Sequence, residues 1–198
     1  MFDQADNYVP QTERYVELLD VTGDPITYTF TDRNGFYQLP AVENPDGFYV
    51  AVYSWVRYNR AGGNDLVNVH NVAKRSYSAE TSVQLGVGDG SYSMGTWHVD
   101  NGDIFEGAFW AFNALQSTWR ALYFIERDPA IFPGFIEAEW YPGSVEPTRY
   151  VRGDRIYLDS NDPLAPDIVS HEAGHQVMWN LYDGSWPISD CPSPHFNP

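Results

Sequence analysis

A chain of 198 residues with 43% hydrophobic and 16% aromatic content has room for one large domain or two small ones, each with a packed core. That composition excludes a largely disordered protein. The formal charge of -16, from 27 acidic and 11 basic residues of which Lys74 is the one lysine, repels phosphate backbones and anionic lipid and so excludes nucleic acid as a partner. No run of about 18 apolar residues is present, so no membrane span is expected.

The opening residues Met1-Phe2-Asp3-Gln4-Ala5-Asp6 lack the basic-then-apolar pattern of a signal peptide, as expected of a mature or trimmed chain. Cys191 is the single cysteine. An odd thiol in a chain of secreted character points to a disulfide partner that is missing or lies on another chain; a small buried thiol is the other reading.

From Tyr15 to Tyr58 the pattern predicts short strands at Tyr15–Val21, Ile26–Phe30, Phe36–Leu39 and Tyr49–Tyr53. They are separated by Thr22-Gly23-Asp24-Pro25, Asp32-Arg33-Asn34-Gly35 and Asn44-Pro45-Asp46-Gly47. Asn34-Gly35 is the strongest hairpin signal, because both residues tolerate positive φ. Further strands are expected at Leu66–Val72 and Ser82–Leu85, and a boundary near Gly86–Gly95.

A helix is then predicted from Asp103 as N-cap, with Glu106 three positions on, through Phe105, Phe109, Phe112, Leu115, Trp119, Leu122 and Phe124 to Asp128-Pro129. Apolar residues surround nearly its whole circumference, which predicts a buried backing helix. Strands are expected next at Phe135–Tyr141 and Tyr150–Asp159.

Pro166 suits a first helical turn, Asp167 complements the positive helix end and Asp183-Gly184 supplies a stop, so a helix is expected from Asp167 to about Tyr182. Within it lies His171-Glu172-Ala173-Gly174-His175. Residues four apart share a helix face, so His171 and His175 can reach one tetrahedral zinc ion. Glu172 lies about 100° around the helix, where a base that takes a proton from water and returns it to a leaving amine belongs. Small Ala173 and Gly174 would let other backbone approach closely.

For a third ligand His195 is the chemically best donor, ahead of Asp183 and Asp190, although it sits in the proline-rich stretch Cys191–Pro198. His70 and His98 are isolated in sequence and read as surface or structural residues. Calcium is a second candidate metal, on Asp89, Asp100 and Asp103, but ordinary loop chemistry explains those residues equally well.

Thr31-Asp32-Arg33-Asn34-Gly35-Phe36-Tyr37 resembles the repeated signature of prealbumin-like and collagen-binding-B-like extracellular sandwiches. The stretch Ser170–Met178, with Tyr182, Trp186-Pro187 and Cys191–His195, resembles secreted bacterial and archaeal gluzincin-like proteins. The resemblance implies an α+β fold: an N-terminal antiparallel β-sandwich over residues 12–90, then a zincin-like metallopeptidase lobe over residues 96–198, with a backing helix, a small sheet and the HExxH helix. In that family the third ligand is a glutamate on a later helix, in a Trp-x-Glu-Gly-x-Ala-Asp-like stretch, and a second cysteine lies between; neither occurs in these 198 residues. The expectation is therefore an incomplete lobe whose open surface is covered by a missing C-terminal segment or a partner chain.

By the same analogy the strand Arg155–Asp159, with Tyr157, is read either as the edge strand to which an extended substrate adds or as an ordinary sheet strand. The leading functional expectation is a secreted, extracellular zinc peptidase acting on peptide or protein substrates. The alternative is a non-catalytic adhesion or assembly module, a homo-oligomer or filament built through unpaired strand edges.

Overall fold

The computed structural model describes residues 10–43, 46–60, 63–86, 91–96, 98, 105–125 and 134–184. The fold is α+β, with two sheets and two long helices among those residues. Strand β1 (Tyr15–Asp20) alternates Val16 and Leu18 inward with Tyr15 and Glu17 outward, the period of two that a half-buried strand needs. It pairs antiparallel with β2 (Pro25–Phe30) and β3 (Gly47–Tyr53), and a bulge between Leu18 and Leu19 lets both leucines be buried. The short strands β6 (Ser78–Glu80) and β7 (Gln84–Leu85) complete this sheet on β3.

The second sheet has the order β4 (Trp55–Arg60), β5 (Gly63–His70), β8 (Ile136–Glu139), β10 (Ile156–Tyr157) and β9 (Arg149–Tyr150). β5, β8 and β10 run parallel, and β4 and β9 are antiparallel borders. The parallel step from β5 to β8 requires a crossover, and α1 (Glu106–Ile125) lies within it.

α1 is apolar nearly all round because both sheets use it. Ala108, Phe112, Leu115 and Trp119 join Val67, Val69, Ile136 and Ile156 under the second sheet, whereas Phe109 packs with Val16, Leu18, Val50 and Val52 under the first. Each of these large side chains contributes about 1.5–3 kcal/mol by burial. α2 (Pro166–Leu181) lies beside α1 in the same core through Val169, Ala173 and Val177.

Two sequence expectations are corrected. Phe36–Leu39 is not a strand: Asp32 closes a turn by accepting from the N–H groups of Asn34 and Phe36 through Oδ1, Gly35 takes φ +79°, and Tyr37 and Leu39 pack on the first sheet from a loop. Tyr150–Asp159 is not one strand but a hairpin, β9 and β10, turned at Val151–Asp154 with Gly153 at φ +70°. Residues 12–90 are divided between the two sheets. The chain changes sheet at Ser54, whose Oγ donates to the Val69 carbonyl at 2.6 Å and accepts from the Tyr77 N–H at 2.9 Å. On the apolar face of the first sheet lie α1 and the 36–39 loop. Asp103, the expected N-cap, and Asp128-Pro129 fall outside the described residues, as do Asp89 and Asp100.

Candidate metal centre

The helix that carries the histidines is defined at both ends. A single 3-10 turn (Asp162–Leu164) leads to Pro166, whose fixed φ suits a first helical turn and whose missing N–H costs nothing there. At the other end the Gly184 N–H donates to the Trp179 carbonyl at 3.0 Å and the Asp183 N–H to Asn180 at 3.3 Å, with Asp183 at φ +48° and Gly184 at +74°. That is the paired closure of a Schellman motif.

Two faces of α2 serve different ends. Glu172 and Gln176, four residues apart, are buried and bolt the helix to the sheet border. Glu172 Oε2 accepts from the Tyr150 N–H of β9 at 2.7 Å. Gln176 accepts from the Glu137 N–H at 2.9 Å and donates to the Asp154 carbonyl at 3.3 Å. The sequence reading missed Tyr150 and Gln176; the signal available was a second polar residue one turn after Glu172 on a face otherwise made of Val169, Ala173 and Val177.

Around the helix, His171 is exposed and His175 half-buried, and their Nε2 atoms are 3.1 Å apart with the rings edge to face. Two imidazoles bound to one tetrahedral zinc at 2.0–2.1 Å would hold their nitrogens about 3.3 Å apart. The observed 3.1 Å separation is close to that spacing. Among the described residues no group of three or more His, Cys, Asp or Glu side chains converges as a metal site. His195, Asp190 and Cys191 lie outside the described residues. Gly174 does not serve a close approach, since a Cβ there would meet nothing within 4 Å.

β10, with Tyr157, is flanked by β8 and β9, and β9 is the border. The Tyr157 hydroxyl donates to Asp154 at 2.7 Å, a bond that is the main cause holding the Asp154 carboxyl below the usual carboxylate range. Between this hairpin and the second half of α2 lies a groove of about 210 Å³ lined by Phe135, Glu137, Tyr150, Asp154 and Trp179 among others. His70 is buried: its Nδ1 meets the Asn71 carbonyl at 2.8 Å and its Nε2 faces the Arg155 guanidinium at 3.2 Å. Arg155 also lies 3.7 Å from Glu139 and 2.9 Å from Asp154. His70 is thus a structural residue of the second sheet.

Residues 133–198 match the family model for the Mycolysin C-terminal domain, a third of the chain that holds β8 to β10 and α2. No curated protein and no solved structure matches the chain. The match relates this part of the chain to secreted metallopeptidases. No helix among the described residues is long and apolar enough to cross a membrane.

Proposed function

We propose that this chain hydrolyses peptide bonds of peptide or protein substrates outside the cell, with zinc held by His171 and His175 and with Glu172 as the base. The observation that carries the reading is the 3.1 Å approach of the two Nε2 atoms beside a buried carboxylate on the same helix turn. A zinc ion held there supplies Lewis-acid polarisation of the scissile carbonyl and acidification of water.

The remaining steps belong to the chain. The Tyr150 N–H fixes Glu172 Oε2, which leaves Oε1 to take a proton from water and later deliver it to the leaving amine. Gln176 anchors the same helix face to Glu137 and Asp154, so the carboxylate cannot drift from the sheet border. The third ligand comes from beyond the described residues. His195 is its first candidate, and a partner chain is the other source.

Elemental analysis of purified protein, run beside Glu172→Gln and a casein-cleavage assay, tests the reading. One zinc per chain, with cleavage abolished in Glu172→Gln and metal retained, is the expected result. Absence of zinc under replete conditions, or cleavage undiminished by the substitution, would overturn it.

A further inference from the structure

The outer face of the first sheet gathers aromatic side chains into one contiguous surface. Register places Tyr15 opposite Phe30 and Glu17 opposite Tyr28 on the β1–β2 pair. Tyr15 stacks on Tyr28 at 5.2 Å and on Trp55 at 4.5 Å, and meets Phe30 at 5.7 Å and Tyr53 at 5.8 Å. Tyr28 and Phe30 remain 57% and 42% exposed, so the cluster keeps an aromatic face open to solvent.

At its centre stands one carboxylate. Glu17 accepts from the Tyr15 hydroxyl at 3.0 Å through Oε1 and from the Tyr53 hydroxyl at 2.9 Å through Oε2. A phenol that donates to a carboxylate has a more electron-rich ring, and the negative face of such a ring attracts cations. Burial first, and then nearby carboxylates, raise three phenols of this face above their ordinary range: Glu17 acts on Tyr15, Glu17 and Glu80 on Tyr53, and Glu80, Asp20 and Glu17 on Tyr49.

We propose that this face binds an arginine-bearing polypeptide segment, with guanidinium planes stacked on the exposed Tyr28 and Phe30 rings and held by the negative field of Glu17 and Glu80. Charge complementarity selects this occupant. The face is aromatic and anionic, the chain carries a net charge of -16, and a guanidinium, planar and weakly hydrated, satisfies both features at once. A neutral glycan would use the rings and gain nothing from the field. The site is separate from α2 and does not depend on the peptidase reading.

The test is a titration of the full chain with a short alternating Arg–Gly peptide, monitored by tryptophan fluorescence, since Trp55 lies in the stack. Expected are saturable binding, a fall in affinity as NaCl rises from about 0.05 to 0.5 M, and about tenfold weakening by Tyr28→Ala, a substitution that leaves the charge unchanged. Glu17→Gln is expected to weaken binding as well, and Tyr28→Phe to retain it with an unaltered thermal transition. Equal affinity in Tyr28→Ala and the parent would overturn the proposal by reducing it to bulk charge attraction. So would binding of a neutral glucose hexasaccharide without binding of the Arg–Gly peptide, or concentration-dependent self-association that Tyr28→Ala abolishes.

Discussion

The Nε2 atoms of His171 and His175 are 3.1 Å apart across one turn of α2. At that distance one neutral ring can donate its N–H to the lone pair of the other, and a shared cation can take the place of that proton. Replacing either histidine by alanine is expected to weaken zinc binding by more than about 100-fold, beyond the effect of losing a supporting residue around a metal site. Competition against a chelating dye measures this. Unchanged affinity in His171→Ala would show that the two rings do not share an ion.

Glu172 has a structural duty besides the proposed chemical one, and two substitutions separate them. Glutamine keeps an oxygen for the Tyr150 N–H, so Glu172→Gln is expected to leave stability within about 1 kcal/mol of the parent. Alanine leaves that half-buried N–H without its acceptor and is expected to cost about 1–2 kcal/mol. Urea denaturation of both variants distinguishes them; equal losses would mean that the Tyr150 bond contributes nothing.

The parts legible in the sequence were those set by local chemistry. Pro166, Asp167 and Asp183-Gly184 bound α2 to within a residue or so, and the apolar girdle of α1 reflects its packing between two sheets. Features that escaped depended on partners distant in sequence. Nothing between Trp55 and His70 announces that β4 and β5 leave the first sheet to pair beside Ile136–Glu139, because alternation fixes which face is buried and not which strand lies alongside. The β9–β10 hairpin was within reach: Arg152-Gly153-Asp154 is a turn signal read through as strand. Asn34-Gly35 misled in the opposite direction, since the turn forms but leads into a loop, packed through Tyr37 and Leu39, instead of a strand. In the candidate site, helix spacing nominated His171, Glu172 and His175, whereas Tyr150 and Gln176 act through backbone contacts that only the folded chain brings together.

Ser54 is where the chain passes from one sheet to the other, so it is expected to be far more sensitive than a small polar residue normally is. Its side chain is fully buried and supplies the acceptor for the Tyr77 N–H. Ser54→Ala should cost about 1–3 kcal/mol through that orphaned donor, whereas Ser78→Ala at the half-buried start of β6, where the hydroxyl donates to exposed Glu80, should stay within about 0.5 kcal/mol. Thermal unfolding of the pair is the measurement. A neutral Ser54→Ala would mean that the corner is held by the backbone bonds to Tyr77 and Val69 alone.

The Tyr157 hydroxyl makes a pH-dependent contribution through Asp154. The folded carboxyl is held below its ordinary 3.8, first by the Tyr157 hydrogen bond and also by Arg155. A depressed carboxylate adds stability that is fully present above the unfolded value and is lost as pH falls through the folded one. The stability difference between the parent and Tyr157→Phe should therefore be constant from neutral pH down to about 4 and shrink below it. The Asp154 midpoint, tracked by NMR, should rise in the variant. An unmoved midpoint would assign the depression to Arg155 instead.

Gly107, in the first turn of α1, sets two effects of opposite sign against each other. Helix propensity alone predicts that Gly107→Ala stabilises by up to about 1 kcal/mol. The packing predicts the reverse, since a Cβ at this position would stand 2.3 Å from Cζ2 of Trp140 and 2.7 Å from Cη2. Trp140 cannot swing away cheaply: it is buried and its indole N–H donates to the Ser160 carbonyl at 3.3 Å. Displacing a packed indole costs about 1–3 kcal/mol, so the clash outweighs the propensity gain and Gly107→Ala should be destabilising. Gly107→Ala combined with Trp140→Phe tests the cause, because the smaller ring vacates the colliding edge and the alanine should then cost less than it does in the parent. An alanine penalty equal in both backgrounds would place its origin in the helix start and not in the contact with Trp140.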